Sequence, residues 1–318
     1  GEFGAPAERA ERRRVRGAAM AGLREGVAVL REHQHGKSRV RVARVWRLPG
    51  GRQEFAEWEV HTMLESAMAP AYLSGDNAGM TATDTQKNTV YWVAQRLEKP
   101  CGPEAFALAL ARHFVKEYPL VSRAKVEVEQ RQWVRAEVGG REHAHGFVKG
   151  GETRFARVEH GDGQETVTSG LRGLTVCKTT QSGYEGYLRD GFTLLPETRE
   201  RLLATTMQVS WRFSSPPPCW EGAFRRVREA VVAEFFGPAE GGVYSPSVQR
   251  TLFLMAKACL EQVEGLESMY FNLPNIHFLP CSPVMSEFKH DVYVATSEPH
   301  GNIEATVTRA EAVPHARL

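Results

Sequence analysis

The sequence FNLPNIHF occupies residues 271–278 and has the pattern of a β-strand, because apolar and polar residues alternate along it. Residues two apart on a strand share a face, so Asn275 and His277 are predicted to point the same way. An amide and an imidazole on one face form a polar pair that can donate and accept hydrogen bonds. In isolation, an Asn-x-His pair is more often a hydrogen-bonded core pair than a functional one, so its meaning depends on the other motifs.

The composition is that of an ordinary globular protein of 318 residues with a net charge of +2. This charge gives no general attraction to nucleic acid or to a membrane surface, and no apolar run is long enough to span a bilayer. The five cysteines are scattered and lack metal-ligand spacing, which predicts buried thiols in a reducing compartment. The chain contains no Gly-x-Ser-x-Gly, no phosphate loop and no Gly-x-Gly-x-x-Gly.

The chain divides into an arm and two similar halves. Residues 1–32 form an Ala-, Arg- and Glu-rich arm, whose start, Gly1-Glu2-Phe3-Gly4, is typical of a vector-derived remnant. Residues 33–160 are predicted as a first domain with the order strand, strand, helix, helix, strand, strand. Residues 161–318 are predicted as a second domain that repeats this order, which suggests duplication. The second-half helices are predicted at residues 196–206, 220–236 and 247–263, and two separate strands are predicted near residues 143–150 and 153–160.

Two places in the first half could bear on function. Lys37 comes just before the first long strand, where most lysines are simply solvated. A short strand at residues 80–83 is predicted to lead into a helix with Asp84 as its N-cap and Thr83 beside it. A helix N-terminus suits an anionic ligand, although plain capping explains a Thr-Asp pair equally well. His143 and His145 have no nearby third ligand, which is more typical of a surface feature than of a metal site.

Four motifs together resemble the urate oxidase (uricase) family. They are TATDTQKNT at residues 81–89, LTVCKTTQSGYEGYLRD at 174–190, SVQRTL at 247–252 and LPNIH at 273–277. Their order and approximate spacing fit that family over residues 35–310, and four motifs in register are highly specific.

This resemblance implies an α+β fold of two tandem tunnelling-fold (T-fold) units. Each unit is expected to hold an antiparallel four-stranded sheet with two helices on one side. Subunits are expected to form a barrel-like homotetramer with active sites at subunit interfaces. The implied reaction converts urate, O2 and water to 5-hydroxyisourate and hydrogen peroxide, without a metal or an organic cofactor.

The resemblance also implies how the flat urate anion is held. Arg201 would supply a planar donor fork and Gln249 an amide that donates and accepts. Tyr184 would supply a stacking ring, with Leu195 and Val248 lining the plane. The family usually places Phe at position 184, so the tyrosine keeps the ring and adds a hydroxyl that needs a partner.

The proton-transfer residues follow from the same resemblance. Lys37 and Thr83 match the family's base dyad, and a lysine can serve as a base only where burial lowers its pKa. His277 would extend the relay through Thr83 and a water. Asn275 and Thr83 would hold O2 and then the attacking water, and the backbone N–H of Asp84 would help to fix the purine. Because these groups come from both halves, a subunit interface is the expected meeting place.

Two rival interpretations remain, a zinc-dependent T-fold enzyme acting on pterins or purines and a non-catalytic purine-binding T-fold scaffold. The Ala- and Arg-rich composition favours a bacterial cytoplasm. The final tripeptide, residues 316–318, resembles a degenerate peroxisomal address and gives the alternative compartment.

Overall fold

The computed structural model describes residues 23–25, 27–281 and 291–310. Most of the predicted N-terminal arm and the C-terminal tripeptide lie outside these residues. The strands are β1 (Leu23–Glu25), β2 (Ala28–Leu30), β3 (His35–Arg47), β4 (Gln53–Ser66), β5 (Val121–Val138), β6 (Arg141–Gly161), β7 (Gln164–Lys178), β8 (Leu203–Phe213), β9 (Leu266–Pro280), β10 (Tyr293–Thr296) and β11 (Asn302–Thr308). The helices are α1 (Ala69–Leu73), α2 (Thr83–Arg96), α3 (Pro103–Glu117), α4 (Trp220–Phe236) and α5 (Val248–Gln262).

The first compact unit comprises residues up to Gln130 together with Ala156–Val167. Its strand order is β3, β4, β5, β6, β7, and β3 pairs antiparallel with β4. Alternation along β4 buries Ala56, Trp58 and Val60, since every second side chain faces the core. The Trp58 ring lies 4.7 Å from that of Phe106 on α3. Helix α3 therefore packs against the inner face of β4.

The second compact unit comprises Arg131–Phe155 and residues from Thr168 onward. Here β7 pairs antiparallel with β8, and β8 with β9. Strand β9 also pairs with β11 along residues 268–274 and with β10 along residues 277–280. Apolar residues of β7, β8 and β9 form one buried cluster with the inner stripes of α4 and α5. The stripe at Phe224, Val227 and Val231 has the spacing of one helix face, which explains why α4 forms where it does.

The α+β class is confirmed, whereas three local predictions are wrong. No helix forms over residues 196–206, where the chain runs irregularly until β8 begins at Leu203. No strand forms at residues 80–83. The strands predicted near 143–150 and 153–160 are one long strand, β6. Three strands, β5, β6 and β7, contribute residues to both units, and the predicted division at residue 160 stays a prediction.

The prediction that the cysteines are buried is wrong for two of them. The thiols are not all buried, since Cys177 and Cys219 are exposed and only Cys259 of the five is fully buried. Burial raises the pKa of the Cys259 thiol to about 12, so this group is an inert core residue. Among the described residues, no helix is long and apolar enough to cross a membrane.

Candidate active site

Lys37 lies on β3 at an irregularity of the strand. The pairing of β3 with β4 shifts register between Lys37 and Val40, and Arg39 has a φ of 59°, which is uncommon for a residue other than glycine. A bulge of this kind changes the direction in which the neighbouring side chains point. The Lys37 N–H donates to Thr62 Oγ1 over 3.3 Å, which holds the backbone on the Lys37 side of the bulge.

Thr83 and Asp84 are the first two residues of α2, and both side chains are exposed. The N-cap is Ala82, so the prediction of Asp84 as the cap is wrong. The Asp84 carboxylate instead accepts from Lys87 Nζ over 2.5 Å and from Asn88 Nδ2 over 2.9 Å. Ala82 makes no side-chain capping bond to this helix, so within the described part of the chain its first N–H groups are open to a ligand.

The charge of Lys37 acts on the first turn of α2. The hydrogen bond from Lys87 holds the pKa of the Asp84 carboxyl below its usual value, and the Lys37 ammonium acts in the same direction. His35 Nε2 lies 2.8 Å from the Thr81 carbonyl oxygen, which ties the start of β3 to the segment before α2. The structure therefore ties the start of β3 to the segment before α2, and Lys37 lies near enough to Asp84 for its charge to act on that carboxyl.

A buried hydrogen-bonded pair, Thr62 and Gln86, links β3 to the first turn of α2. Thr62 on β4 and Gln86 in the first turn of α2 are both 0% exposed. Thr62 Oγ1 lies 2.7 Å from Gln86 Oε1 and donates to it, while the same oxygen accepts from the Lys37 N–H. One threonine hydroxyl thus joins the strand that carries Lys37 to the helix turn that carries Thr83.

In the second unit, Arg201 stands in the irregular segment just before β8. Its backbone N–H donates to the Ser182 carbonyl over 2.9 Å, and its Nε lies 3.3 Å from Ser182 Oγ. Burial lowers the pKa of the Arg201 guanidinium, although Tyr184 and Tyr244 act in the opposite direction. A guanidinium stays charged at neutral pH, so Arg201 presents a cationic fork whose Nε is already oriented.

Tyr184 lies beside this arginine, with the Arg201 Cζ 5.4 Å from the ring centroid. Tyr187 stacks on Tyr184 at a centroid distance of 4.7 Å and an interplanar angle of 10°. The Tyr187 hydroxyl donates to the Leu195 carbonyl, which also accepts from Arg189 Nη1 over 3.0 Å. Tyr187 thus backs one face of the Tyr184 ring, and the Leu195 side chain is left 54% exposed.

Val248 and Gln249 open helix α5. Ser247 caps this helix, because its side chain accepts from the Arg250 N–H over 3.1 Å. The Val248 side chain is buried in the core, whereas Gln249 is exposed. Val248 therefore presents its backbone at the helix N-terminus, and Gln249 presents its side-chain amide.

Asn275 and His277 lie on β9, and both are partly buried. Asn275 is opposite Thr205 on β8, and His277 is opposite Thr296 on β10. The chain enters β8 two residues after Arg201, so the register puts Arg201 at the same end of the sheet as these two side chains. Asn275 Oδ1 is shielded from solvent and has no hydrogen-bond partner among the described residues.

Two of the histidines of β6, His143 and His145, contact each other. The rings of His143 and His145 lie 4.5 Å apart, edge to face, and the His145 N–H donates to His143 Nδ1 over 3.2 Å. In the part of the chain that the structure describes, no three or more His, Cys, Asp or Glu side chains come together as metal ligands would.

Four residues at these places were not predicted from the sequence: Ser182, Tyr187, Thr62 and Gln86. Three of them make contacts across 19 to 25 residues of chain, which no local pattern shows. Thr62 is the partial exception. It falls at an inward position of the alternating strand β4, where a polar side chain needs a buried partner.

Comparisons with known proteins point to one family. The uricase family model matches residues 33–159 and 167–304. A uricase of Arabidopsis thaliana is 44% identical over 91% of this chain and 98% of its own length. Uricase-2 of Phaseolus vulgaris is 43% identical over 87% of this chain and 95% of its own length.

Solved structures agree. The crystal structure of the Arthrobacter globiformis uricase aligns with a TM-score of 0.80 and 32% identity, covering 91% of this chain and 98% of that one. This match confirms the predicted α+β T-fold. The chain belongs to the uricase family.

Proposed function

We infer that the protein is a urate oxidase, which converts urate, O2 and water to 5-hydroxyisourate and hydrogen peroxide. Membership of the uricase family over both halves of the chain carries this inference. The zinc-dependent and non-catalytic alternatives are not favoured. We propose that the reaction needs no metal and no organic cofactor.

Arg201, Tyr184 and Gln249 form the proposed purine clamp. A guanidinium fork suits the adjacent oxygen and nitrogen acceptors of a urate anion, because its N–H groups are planar and diverge at a fixed angle. The Ser182 contacts support this role, since they fix the Arg201 backbone and Nε. The Tyr184 face turned away from Tyr187 would stack on the purine, next to Leu195 and the Val248 backbone. Gln249 would bind the opposite edge of the substrate.

Lys37 and Thr83 form the proposed proton-transfer group. The urate anion has to lose a further proton before it can give an electron to O2, and a lysine beside a hydroxyl can pass that proton on. The Thr62 hydroxyl supports this pairing, because it bonds both to the Lys37 N–H and to Gln86 in the first turn of α2. His277 would extend the relay. Asn275 would hold O2 and then the attacking water, and the Asp84 N–H would bind the purine at the uncapped helix end.

We also propose the homotetramer with active sites at subunit interfaces. The proton-transfer group and the purine clamp belong to different units, and the loop beside the clamp is strongly apolar at its surface. Leu188, Phe192 and Leu194 are 88%, 95% and 93% exposed, a patch typical of a protein–protein interface. Sedimentation analysis would test the assembly. A monomer that turns over urate would contradict it.

The cytoplasm stays the predicted compartment, on composition alone.

The direct test mixes the purified protein with urate in air. We expect loss of the urate ultraviolet band, uptake of one O2 per urate and release of one peroxide, with the same rate after treatment with a chelator. Heat-denatured protein is the control. Urate binding without O2 uptake would favour the scaffold, and a rate that falls on chelation and returns with zinc would favour the zinc enzyme.

A further inference from the structure

Lys178, the last residue of β7, is a buried lysine to which the proposed mechanism gives no role. Only 8% of the residue is exposed. Its Nζ donates to the Val243 carbonyl over 2.7 Å, to Ser245 Oγ over 2.7 Å and to the Phe235 carbonyl over 3.3 Å. An ammonium has three N–H donors, so these three acceptors satisfy it completely.

This arrangement is costly for the fold. Within the described residues, no carboxylate pairs with Lys178, and burial lowers the pKa of its ammonium. The Phe235 ring, whose centroid lies 5.5 Å from Nζ, supplies only a weak cation–π contact. A buried cation without a counter-ion is rare, and an apolar side chain of similar length would avoid the cost of desolvation. Lys178 is therefore a candidate for a role other than stability.

The contacts of Lys178 converge on Ser245, which in turn contacts helix α5. Ser245 is 2% exposed, and its Oγ also accepts from Thr251 Oγ1 over 2.8 Å. Thr251 lies in the first turns of α5, whose cap, Ser247, follows Ser245 by two residues. The ammonium thus fixes the chain just before the helix end that carries Gln249.

Ser245 is also bridged to the segment that orients the arginine. Ser245 and Ser182 form a parallel β-bridge, in which the Ser245 N–H donates to the Gln181 carbonyl over 2.9 Å and the Gly183 N–H donates to the Ser245 carbonyl over 3.0 Å. Ser182 then accepts from the backbone N–H and the Nε of Arg201. A continuous path of hydrogen-bonded residues runs from Lys178 through Ser245 and Ser182 to Arg201.

We propose that Lys178 is a positioning residue for the purine clamp. Its ammonium holds Ser245, and Ser245 sets both the Ser182 segment that orients Arg201 and the start of α5 that carries Gln249. Lys178 touches no substrate. The inference rests on the proposed function of that site, and its test therefore includes one measurement that needs no substrate.

The kinetic test replaces the ammonium by an apolar chain of similar length. In Lys178→Met we expect the KM for urate to rise about tenfold or more while kcat changes less than about threefold, because a displaced clamp weakens binding before it alters chemistry. An unchanged KM would overturn the proposal.

The matched control is Arg154→Met. Arg154 contacts one end of helix α4, and Lys178 contacts the other. Arg154 is 2% exposed and contacts the first turn of α4 through Glu221 and the Trp220 carbonyl, whereas Lys178 contacts its last turn through Phe235. Both substitutions remove a buried cation from the second unit. We expect both to lower Tm and only Lys178→Met to raise KM. A comparable rise in KM in the control would reduce Lys178 to a structural role.

Hydrogen exchange supplies the measurement that needs no substrate. In Lys178→Met, the amides of Gly183, Arg201 and Ser245 should exchange faster than in the unaltered protein, and in Arg154→Met they should not. Ser245→Ala, a milder change, should act in the same direction and serves if Lys178→Met does not fold. Unchanged exchange at these amides would overturn the role of Lys178 even if the protein proved inactive on urate, whereas inactivity of the unaltered protein would count against the proposed function alone.

Discussion

The proton-transfer group and the purine clamp are held in place in different ways. Thr83 is exposed, Lys37 is half-buried, and the buried contacts behind them reach backbone and a neighbouring helix turn through Thr62 and Gln86. In the clamp, the Arg201 Nε itself bonds to the buried Ser182, and the Tyr184 ring is stacked on Tyr187. The proton-transfer group is positioned through its main chain, whereas the clamp is positioned through its side chains as well.

This difference matches the chemistry that we assign to each group. A residue that carries a proton has to change its hydrogen-bond partners during the reaction, which a side chain with few fixed contacts can do. A residue that binds a rigid planar substrate works best when its geometry exists before binding, because little ordering then remains to be done. The comparison predicts that substitutions in the two groups change different kinetic constants.

The largest effect should come from removing the proton-transfer group. In Lys37→Met combined with Thr83→Ala, we expect kcat to fall by roughly 1000-fold, because general acid–base catalysis contributes that order of magnitude. The KM should change little, since the clamp is untouched. Stopped-flow absorbance and anaerobic urate binding would measure the two quantities. Substantial turnover in the double variant would remove Lys37 and Thr83 from the mechanism.

The next largest effect should come from the clamp. Arg201→Ala should raise the KM for urate by roughly 100-fold, because it deletes two charge-assisted hydrogen bonds of about 1.5 kcal/mol each. Arg201→Lys, which keeps the charge and loses the fork, is the matched control and should recover only part of the affinity. A near-normal KM in Arg201→Ala would refute the clamp and with it the comparison.

The buried support of the first unit gives a smaller effect. Thr62→Val removes the bond to Gln86 and leaves a buried amide oxygen unsatisfied, at a cost of about 1–3 kcal/mol in the free energy of unfolding. We expect kcat to fall by about tenfold through misplacement of Lys37 and Thr83, with KM nearly constant. Thr62→Ser keeps the hydroxyl and should retain most of the activity. A change confined to KM would contradict the separation of the two groups.

The smallest effect should come from the extra hydroxyl of the clamp. Tyr184→Phe keeps the ring and its stack on Tyr187, so the KM should change less than about threefold. Tyr184→Leu removes the ring and should raise KM more. Steady-state kinetics of the two variants would show whether ring or hydroxyl matters, and a large loss in Tyr184→Phe would mean that the hydroxyl binds substrate.

Periodic elements could be predicted from the sequence, because their pattern is local. The stripe from Trp220 to Phe235 predicted residues 220–236, and α4 has those bounds. The helix predicted at 196–206 failed for the opposite reason. Pro196 and the polar residues after it resemble a helix start, but the N–H groups of Thr198 and Arg201 donate to the distant carbonyls of Tyr184 and Ser182. Tertiary contacts overrode local propensity.

In the candidate site too, local motifs could be predicted from the sequence and long-range contacts could not. The motifs around Thr83, Gln249 and Asn275 pointed to the right family, but no local pattern predicts that Ser182 bonds to Arg201 or that Asp84 binds Lys87 instead of capping α2. The burial of Lys178 could have been predicted from the sequence, because Lys178 continues the series of inward-facing residues formed by Leu174 and Val176 on β7. A lysine at an inward position of an apolar alternation indicates a buried ammonium.

The bulge in β3 makes the direction of the Lys37 side chain independent of the burial of Val40. In an uninterrupted strand, the direction of every side chain is fixed by that of its neighbours, so Val40 in the core would dictate where Lys37 points. The register shift between them breaks this dependence. Evolution or an engineer can therefore alter the aim of the lysine by changing the bulge at Ser38 and Arg39 while the hydrophobic half of the strand stays as it is.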